Sequence, residues 1–363
     1  MTITIVAGAR PNFVKIASII EAIENKKAQG ISINYRLVHT GQHYDKNLSG
    51  SFFQELNIPH PNVNLNVKSG SQAEQTAAIM IGFEKELQQN PCDLVMVVGD
   101  VTSTMACAIV AKKAHIKVAH VEAGIRSGDL TMPEEINRIV TDSLTDYFFT
   151  TSTYANANLK RLGVSESNIF YVGNVMIDTL LKHENQLKKP SLWNNLKLSE
   201  KNYLVMTLHR PNNVDEEQQL KQLITQMVSH SKGLPIIFPV HPRTQKLLHR
   251  LSLNFENLHV VAPLGYLEFN YLVKHALGVI TDSGGITEET TVLNVPCITL
   301  RDTTERPETC DLGTNILVGN DIEKIKSAFK TLFAGTWKQG TVPKLWDGHT
   351  AERIVNHLTT IFK

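Results

Sequence analysis

Charged side chains in this sequence gather just beyond short β-branched runs. Gly8-Ala9-Arg10-Pro11-Asn12 follows Thr2–Ala7, with Lys15 one turn further on. Gly99-Asp100 follows Leu94–Val98, and Glu122 follows Val118–Val121. Later in the chain His209-Arg210, His241-Pro242-Arg243, Asp282-Ser283-Gly284-Gly285 and Arg301-Asp302 sit in the same kind of place. Open parallel sheets bind ligands beyond the carboxyl ends of their strands, so this recurrence points to a site. The cationic and glycine-rich segments suit a phosphate, because small residues at a helix start leave N–H groups and a positive dipole end free. The carboxylates suit proton transfer.

Each residue also has a plainer explanation. Arg10 and Lys15 fit a solvated helix start, and Asp100 could cap a helix beginning near Ser103. Glu134, just after Pro133, fits compensation of a helix dipole better than catalysis on local grounds. Glu122 resists such a reading: it interrupts an apolar strand end, where a carboxylate is costly unless paired or used. His209 beside Arg210 fits an anion-binding or general-acid pair, although most single histidines are structural.

The elements that must position these residues alternate from end to end, the pattern of βαβ units and parallel sheets. Strands are predicted over Thr2–Ala7, Tyr35–His39, Leu94–Val98, Val118–Val121, Tyr147–Thr150 and Ile169–Tyr171. Helices are predicted over Asn12–Asn25, Gln72–Gln88, Ser103–Lys113, Pro133–Leu144 and Tyr154–Leu162. A polar, Lys/Asn-rich stretch from Lys182 to Asn202 reads as a linker. Strands then resume over Tyr203–Leu208, Pro235–Val240, Leu258–Val261, Gly278–Thr281 and Pro296–Leu300. The helices between and after them are Glu216–His230, Thr244–Leu251, Tyr266–His275, Ile286–Leu293 and Ile322–Leu332. The fold expected is α/β, with two doubly wound Rossmann-like domains facing across a cleft. They span 1–181 and 182–349, with a last helix over 350–363 free to pack back on the first.

Composition narrows the function. The 363 residues carry 36 Lys and Arg against 35 Asp and Glu, a net +1, which speaks against nucleic acid or an anionic membrane as partner. No apolar run approaches a spanning length, no basic leader precedes one, and the four cysteines show no CxxC. The chain reads as soluble, reduced and cytoplasmic. The first strand lacks GxGxxG, no Gly-Lys pair exists for a Walker loop, and Ser283 lacks the first glycine of a nucleophile elbow. There is no HExxH, and Gly41 separates His39 from His43, so no metal is expected. Residues alone therefore reach a two-domain α/β protein that binds a phosphorylated small molecule with carboxylates in its cleft.

At these residues the sequence resembles the non-hydrolysing UDP-N-acetylglucosamine 2-epimerases, which have a glycosyltransferase-B-like fold. The likeness rests on Gly8-Ala9-Arg10-Pro11 with Lys15, His39-Thr40-Gly41-Gln42-His43, Gly99-Asp100, and His120-Val121-Glu122-Ala123-Gly124-Ile125-Arg126. It continues through Met132-Pro133-Glu134-Glu135-Ile136-Asn137-Arg138, Gly173-Asn174, Leu208-His209-Arg210-Pro211, Thr281–Gly285 with Glu288-Glu289, and Arg301–Glu308. The resemblance implies a UDP-sugar substrate, with Asp100, Glu122, Glu134 and His209 catalytic. It assigns Arg10, Lys15, Arg138, Ser283, Gly284, Gly285 and Arg306 to substrate binding. Glu289 would take the ribose, Phe269 the uracil face, and the main chain near Leu264 the uracil edge. The reaction it implies is elimination of UDP to a 2-acetamidoglucal and re-addition from the other face, without nicotinamide or metal, in a homodimer that feeds surface polysaccharide synthesis. Asp45 stands in the segment Gln42–Asn47 where substrate-activated members carry an amide, which speaks against such activation. Other readings are an epimerase of UDP-2,3-diacetamido-glucuronic acid, a hydrolysing epimerase, a retaining glycosyltransferase and a silent UDP-sugar-binding regulator.

Overall fold

All five residues of Leu94–Val98 are buried, which requires cover on both faces of the sheet and marks a central parallel strand. This strand belongs to the first of two units of the computed structural model, residues 1–182 with 344–363; the second unit is 183–343. The structure describes residues 1–41, 53, 55–214, 216–240, 245, 247–248, 250–251, 253 and 255–363, with the backbone alone at 10, 211 and 212. The segment Gln42–Asn47, the strand end His241-Pro242-Arg243 and parts of the helix expected over Thr244–Leu251 lie outside the described residues.

Unit 1 is built on a parallel sheet of seven strands. They are β1 (Thr2–Ala7), β2 (Asn34–His39), β3 (Val63–Asn64), β4 (Leu94–Val98), β5 (Lys117–Val121), β6 (Tyr147–Thr150) and β7 (Ile169–Tyr171). Their order is β3-β2-β1-β4-β5-β6-β7. In register, Ile3 lies opposite Tyr35 on β2 and Leu94 on β4. On one face Val6, Val38, Val95 and Val97 pack with Ile79, Phe83 and Leu87 from helix Gln72–Gln89. That helix starts at a reciprocal cap, with Ser71 Oγ accepting from Glu74 N–H and Glu74 Oε2 from Ser71 N–H. The last helix, Thr350–Ile361, belongs to unit 1. Its first free N–H groups, on Thr350 and Ala351, donate to the buried Asp178 carboxylate at 3.1 and 2.7 Å.

Unit 2 carries six parallel strands: β8 (Leu204–Thr207), β9 (Ile236–Pro239), β10 (Leu258–Val261), β11 (Gly278–Thr281), β12 (Cys297–Thr299) and β13 (Asn315–Leu317). Their order is β10-β9-β8-β11-β12-β13. Leu204, Met206, Phe238, Ile280 and Ile298 form a core with Leu220, Ile224 and Met227 of helix Glu217–His230 on one face.

Two parts of this architecture differ from expectation. The stretch 182–202 is not a plain linker. Helix Val175–His183 runs into it, helix Ser191–Asn195 lies within it, and Trp193 is buried edge-on against Tyr203 and Tyr271. One aromatic side chain anchors a segment whose average polarity reads as loop. The edge strands β3 and β13, two and three residues long, were not anticipated.

Candidate functional site

In unit 1 the strand order reverses between β1 and β4, and the charged residues collect beyond the carboxyl ends there. Gly99, at φ +69°, turns the chain sharply after β4, in a conformation that favours glycine. A Cβ on it would lie 3.2 Å from Lys15 Nζ and 3.8 Å from Glu122 Oε2, so this turn abuts the ion pair those two side chains make at 2.7 Å. Asp100 thus follows directly on a backbone packed against Glu122. Glu122 itself sits at φ 72°, which costs a non-glycine residue about 1 kcal/mol or more. Its N–H and that of Ala123 both donate to the Phe149 carbonyl, at 3.0 and 3.1 Å, and pin it there. Strain of this kind, in a buried carboxylate, is characteristic of functional positions.

Asp100 does not cap the following helix. Helix Thr102–Lys113 starts at Val101 without a side-chain cap, and Asp100 Oδ2 instead meets Arg138 Nη2 at 2.5 Å. Asn137 Nδ2 donates to the Asp100 carbonyl at 2.9 Å. The second arm of Arg138 reaches Glu135 Oε2 at 2.7 Å. Glu135 also accepts from the N–H groups of Ser127 and Gly128. Burial works to raise its pKa, but those bonds and Arg138 bring it below the ordinary carboxylate range. Glu134 is half-buried in the first turn of the same helix, Pro133–Leu144. That helix is turned inside out: its buried side holds Glu135, Asn137, Arg138, Thr141 and Asp142, while Ile136 and Ile139 are exposed. Burying charge in place of isoleucine is not a route to stability; it places polar groups for use.

The glycine beside Arg10 has a steric role. A Cβ at Gly8 would meet Ser103 Oγ at 2.2 Å. The N–H groups of Gly8 and Ala9 donate to Asn12 Oδ1 at 3.2 and 3.0 Å, so they are not offered to an anion as the sequence led us to expect. Arg10 opens helix Arg10–Ala28.

In unit 2 the order reverses between β8 and β11, and their two ends are stitched together. Asp282, after β11, accepts from His209 Nδ1 at 2.7 Å, from the N–H groups of His209 and Arg210, and from Asn213 Nδ2. Burial opposes ionisation of Asp282, yet His209 and these donors hold its pKa below the ordinary value. The Nδ1 contact fixes the imidazole and leaves Nε2 available on a side chain that is 60% exposed. Ser283 is the N-cap of helix Gly284–Val292, whose first turn holds Gly284 and Gly285. Gly284 is required for space, since a Cβ would lie 2.5 Å from Glu305 Oε1. Glu305 in turn pairs with Arg301 at 2.6 Å. Arg306 is buried and ion-paired with Glu288. Glu289 is buried beside Tyr266 and Asn270, and burial lifts its carboxyl to about 7. Leu264 and Phe269 are half-buried, packed on the core cluster of Trp193, Tyr203 and Leu272.

Of the expected residues, unit 1 brings Asp100, Glu122, Lys15 and Arg138 together, with Glu134 on the helix that carries Arg138. Unit 2 gathers His209 with Ser283, Gly284 and Gly285, and places Glu289 one residue from the partner of Arg306. Sequence reasoning missed Asp282 and Asn213 as orienters of His209, and Glu135 as the anchor of Arg138. A charged residue recurring every third or fourth position from Glu135 to Asp142 was the signal available for the last.

The UDP-N-acetylglucosamine 2-epimerase family model matches residues 24–359. The chain belongs to that family. A Methanocaldococcus jannaschii UDP-N-acetylglucosamine 2-epimerase is 41% identical, over 99% of each chain. A Pseudomonas aeruginosa UDP-2,3-diacetamido-2,3-dideoxy-D-glucuronate 2-epimerase is 34% identical over 99% of this chain and 100% of its own. The crystal structure of the M. jannaschii UDP-GlcNAc 2-epimerase in complex with UDP-GlcNAc and UDP superposes with a TM-score of 0.89 at 40% identity, over 99% of this chain and 100% of that one. As a 2-epimerase the chain is an isomerase of glycosyltransferase-B-like fold. Among its described residues no helix is long and apolar enough to cross a membrane, and no cluster of three or more His, Cys, Asp and Glu could hold a metal ion.

Proposed function

We propose that this epimerase interconverts UDP-N-acetylglucosamine and UDP-N-acetylmannosamine by eliminating and re-adding UDP. A carboxylate takes the C2 proton, the C1–O electron pair leaves with the diphosphate, and a 2-acetamidoglucal remains. Return of UDP with protonation from the opposite face inverts C2, so the chemistry asks for acid–base groups on two faces. The observation that carries this reading is the Gly99 turn, which sets Asp100 next to the Lys15–Glu122 pair. Arg138 holds the Asp100 carboxylate in place through an ion pair at 2.5 Å. Charge developing on the leaving diphosphate suits the start of helix Gly284–Val292 and Nε2 of His209, both fixed in advance.

The test is proton NMR of UDP-N-acetylglucosamine with the enzyme in D2O. Deuterium at C2 together with UDP-N-acetylmannosamine is expected, and Asp100→Asn is expected to bind UDP while exchange falls by about 100-fold or more. Full exchange in that variant removes Asp100 from the chemistry. Free N-acetylmannosamine and UDP as products would identify a hydrolysing enzyme instead. The P. aeruginosa relative favours a second substrate, UDP-2,3-diacetamido-glucuronic acid, which the same assay compares directly. We take the enzyme to be a cytoplasmic homodimer supplying surface polysaccharide precursors; light scattering during gel filtration tests the assembly.

A further inference from the structure

Behind the proposed reacting carboxylates of unit 1 lies a buried polar pair that the proposed acid–base chemistry and phosphate binding do not use. His120, on β5, and Asp142, on helix Pro133–Leu144, are both buried, with Nδ1 to Oδ1 at 2.7 Å. His120 Nε2 lies 2.9 Å from the carbonyl oxygen of Gly99. A polar partner therefore faces each ring nitrogen. Asp142 Oδ2 accepts from the N–H of Gly124 at 3.0 Å and from Arg126 Nη1 at 2.7 Å. Burial works against the charge on Asp142, and His120 and Arg126 more than offset it, holding its pKa below the ordinary range.

The backbone atoms gripped by this network are revealing. Gly99 immediately precedes Asp100, and Gly124 lies two residues after Glu122, whose backbone is held in the left-handed region. The helix that bears Asp142 also bears Arg138, one turn back, on the Asp100 carboxylate. We infer that His120 and Asp142 form a positioning pair, which sets the separation and orientation of the Asp100 and Glu122 carboxylates without touching substrate. This rests on the assignment of those two residues to proton transfer. Burying polar groups in this way contributes little net stability against an apolar replacement, so the value of the pair lies in the fixed geometry it imposes. A displacement of about 1 Å at a reacting group lowers rate on the order of 100-fold.

The experiment compares Asp142→Asn, His120→Gln and the double variant in the full chain, with Asp100→Asn as reference. Asparagine keeps the shape of Asp142 but replaces one carboxylate oxygen with an amide NH2, so it removes the carboxylate charge and an acceptor shared among His120, Gly124 and Arg126 with little change in volume. We expect kcat for C2 exchange to fall about 100-fold in Asp142→Asn, with KM and the Kd for UDP within threefold of the parent. The double variant should be no more than threefold slower than either single one, since both break one unit. Unchanged kcat in Asp142→Asn overturns the proposal. So does joint loss of UDP binding and the cooperative thermal transition, which would assign the pair to folding alone. Full exchange in Asp100→Asn fails at the earlier step and removes the assignment on which the pair's role depends.

Discussion

Replacing Glu289 with glutamine should make the protein more stable at high pH and leave it nearly unchanged at low pH. Burial lifts the carboxyl from 4.5 to about 7, against the opposing hydrogen bonds of Tyr266 and Asn270. The folded state thus holds a proton that the unfolded chain gives up near its ordinary value. Stability from this group is fully present below pH 4.5 and is lost as pH rises through about 7. At about 1.4 kcal/mol per pKa unit, the whole loss is about 3 kcal/mol, of which roughly 2.5 falls between pH 5 and pH 8. Glutamine does not titrate, so Glu289→Gln should gain that amount relative to the parent over the interval. Urea unfolding of both proteins at the two pH values, followed by Trp193 in the core of unit 2, gives the difference directly, and other titrations cancel in it. Parallel pH profiles would refute the reasoning. The proposed ribose contact adds a second readout. Hydroxyl donors favour the carboxylate, so UDP binding near pH 6.5 should release a proton from Glu289 and none from the glutamine variant. Calorimetry in two buffers of different ionisation enthalpy measures this.

Asp178→Ala should free the start of helix Thr350–Ile361, costing about 1–3 kcal/mol, since two buried N–H groups lose their acceptor; hydrogen exchange over 350–361 would report it, and unaltered protection would dismiss the cap. Gly99→Ala forces a Cβ into the left-handed turn at 3.2 Å from Lys15 Nζ, so C2 exchange should slow by about tenfold or more while UDP affinity stays; wild-type exchange would show that the turn tolerates displacement.

Much of the fold was legible because its signals are local. The central strand β4 is a continuous apolar run, β1 and β11 are short stretches rich in Val, Ile and Thr, and Pro133 followed by two glutamates marks a helix start correctly. What escaped depends on contacts distant in sequence. Asp100 reads as a helix cap until Arg138, 38 residues away, is seen to hold it. In helix Pro133–Leu144 the pattern misleads: isoleucines at 136 and 139 argue for a buried apolar stripe, yet the opposite face is inside. Hydrophobic periodicity measures what a helix can bury cheaply. It is silent where a site has claimed the interior face. The roles of Asp282 and His120 were hidden likewise, since each is defined by backbone groups that β-sheet topology brings alongside.

The return of helix Thr350–Ile361 to unit 1 has a consequence for how the molecule is made. In the linear chain unit 2 is an insertion, with 161 residues, from His183 to Pro343, standing between Asp178 and the helix it caps. A chain growing from its N-terminus presents Asp178 long before Thr350 exists, so the carboxylate-bearing unit is first to emerge and last to be finished. Unit 2 can fold while its neighbour still waits for its closing segment. A ribosome that stops short of residue 350 would therefore release unit 2 already folded and unit 1 with an uncovered seam.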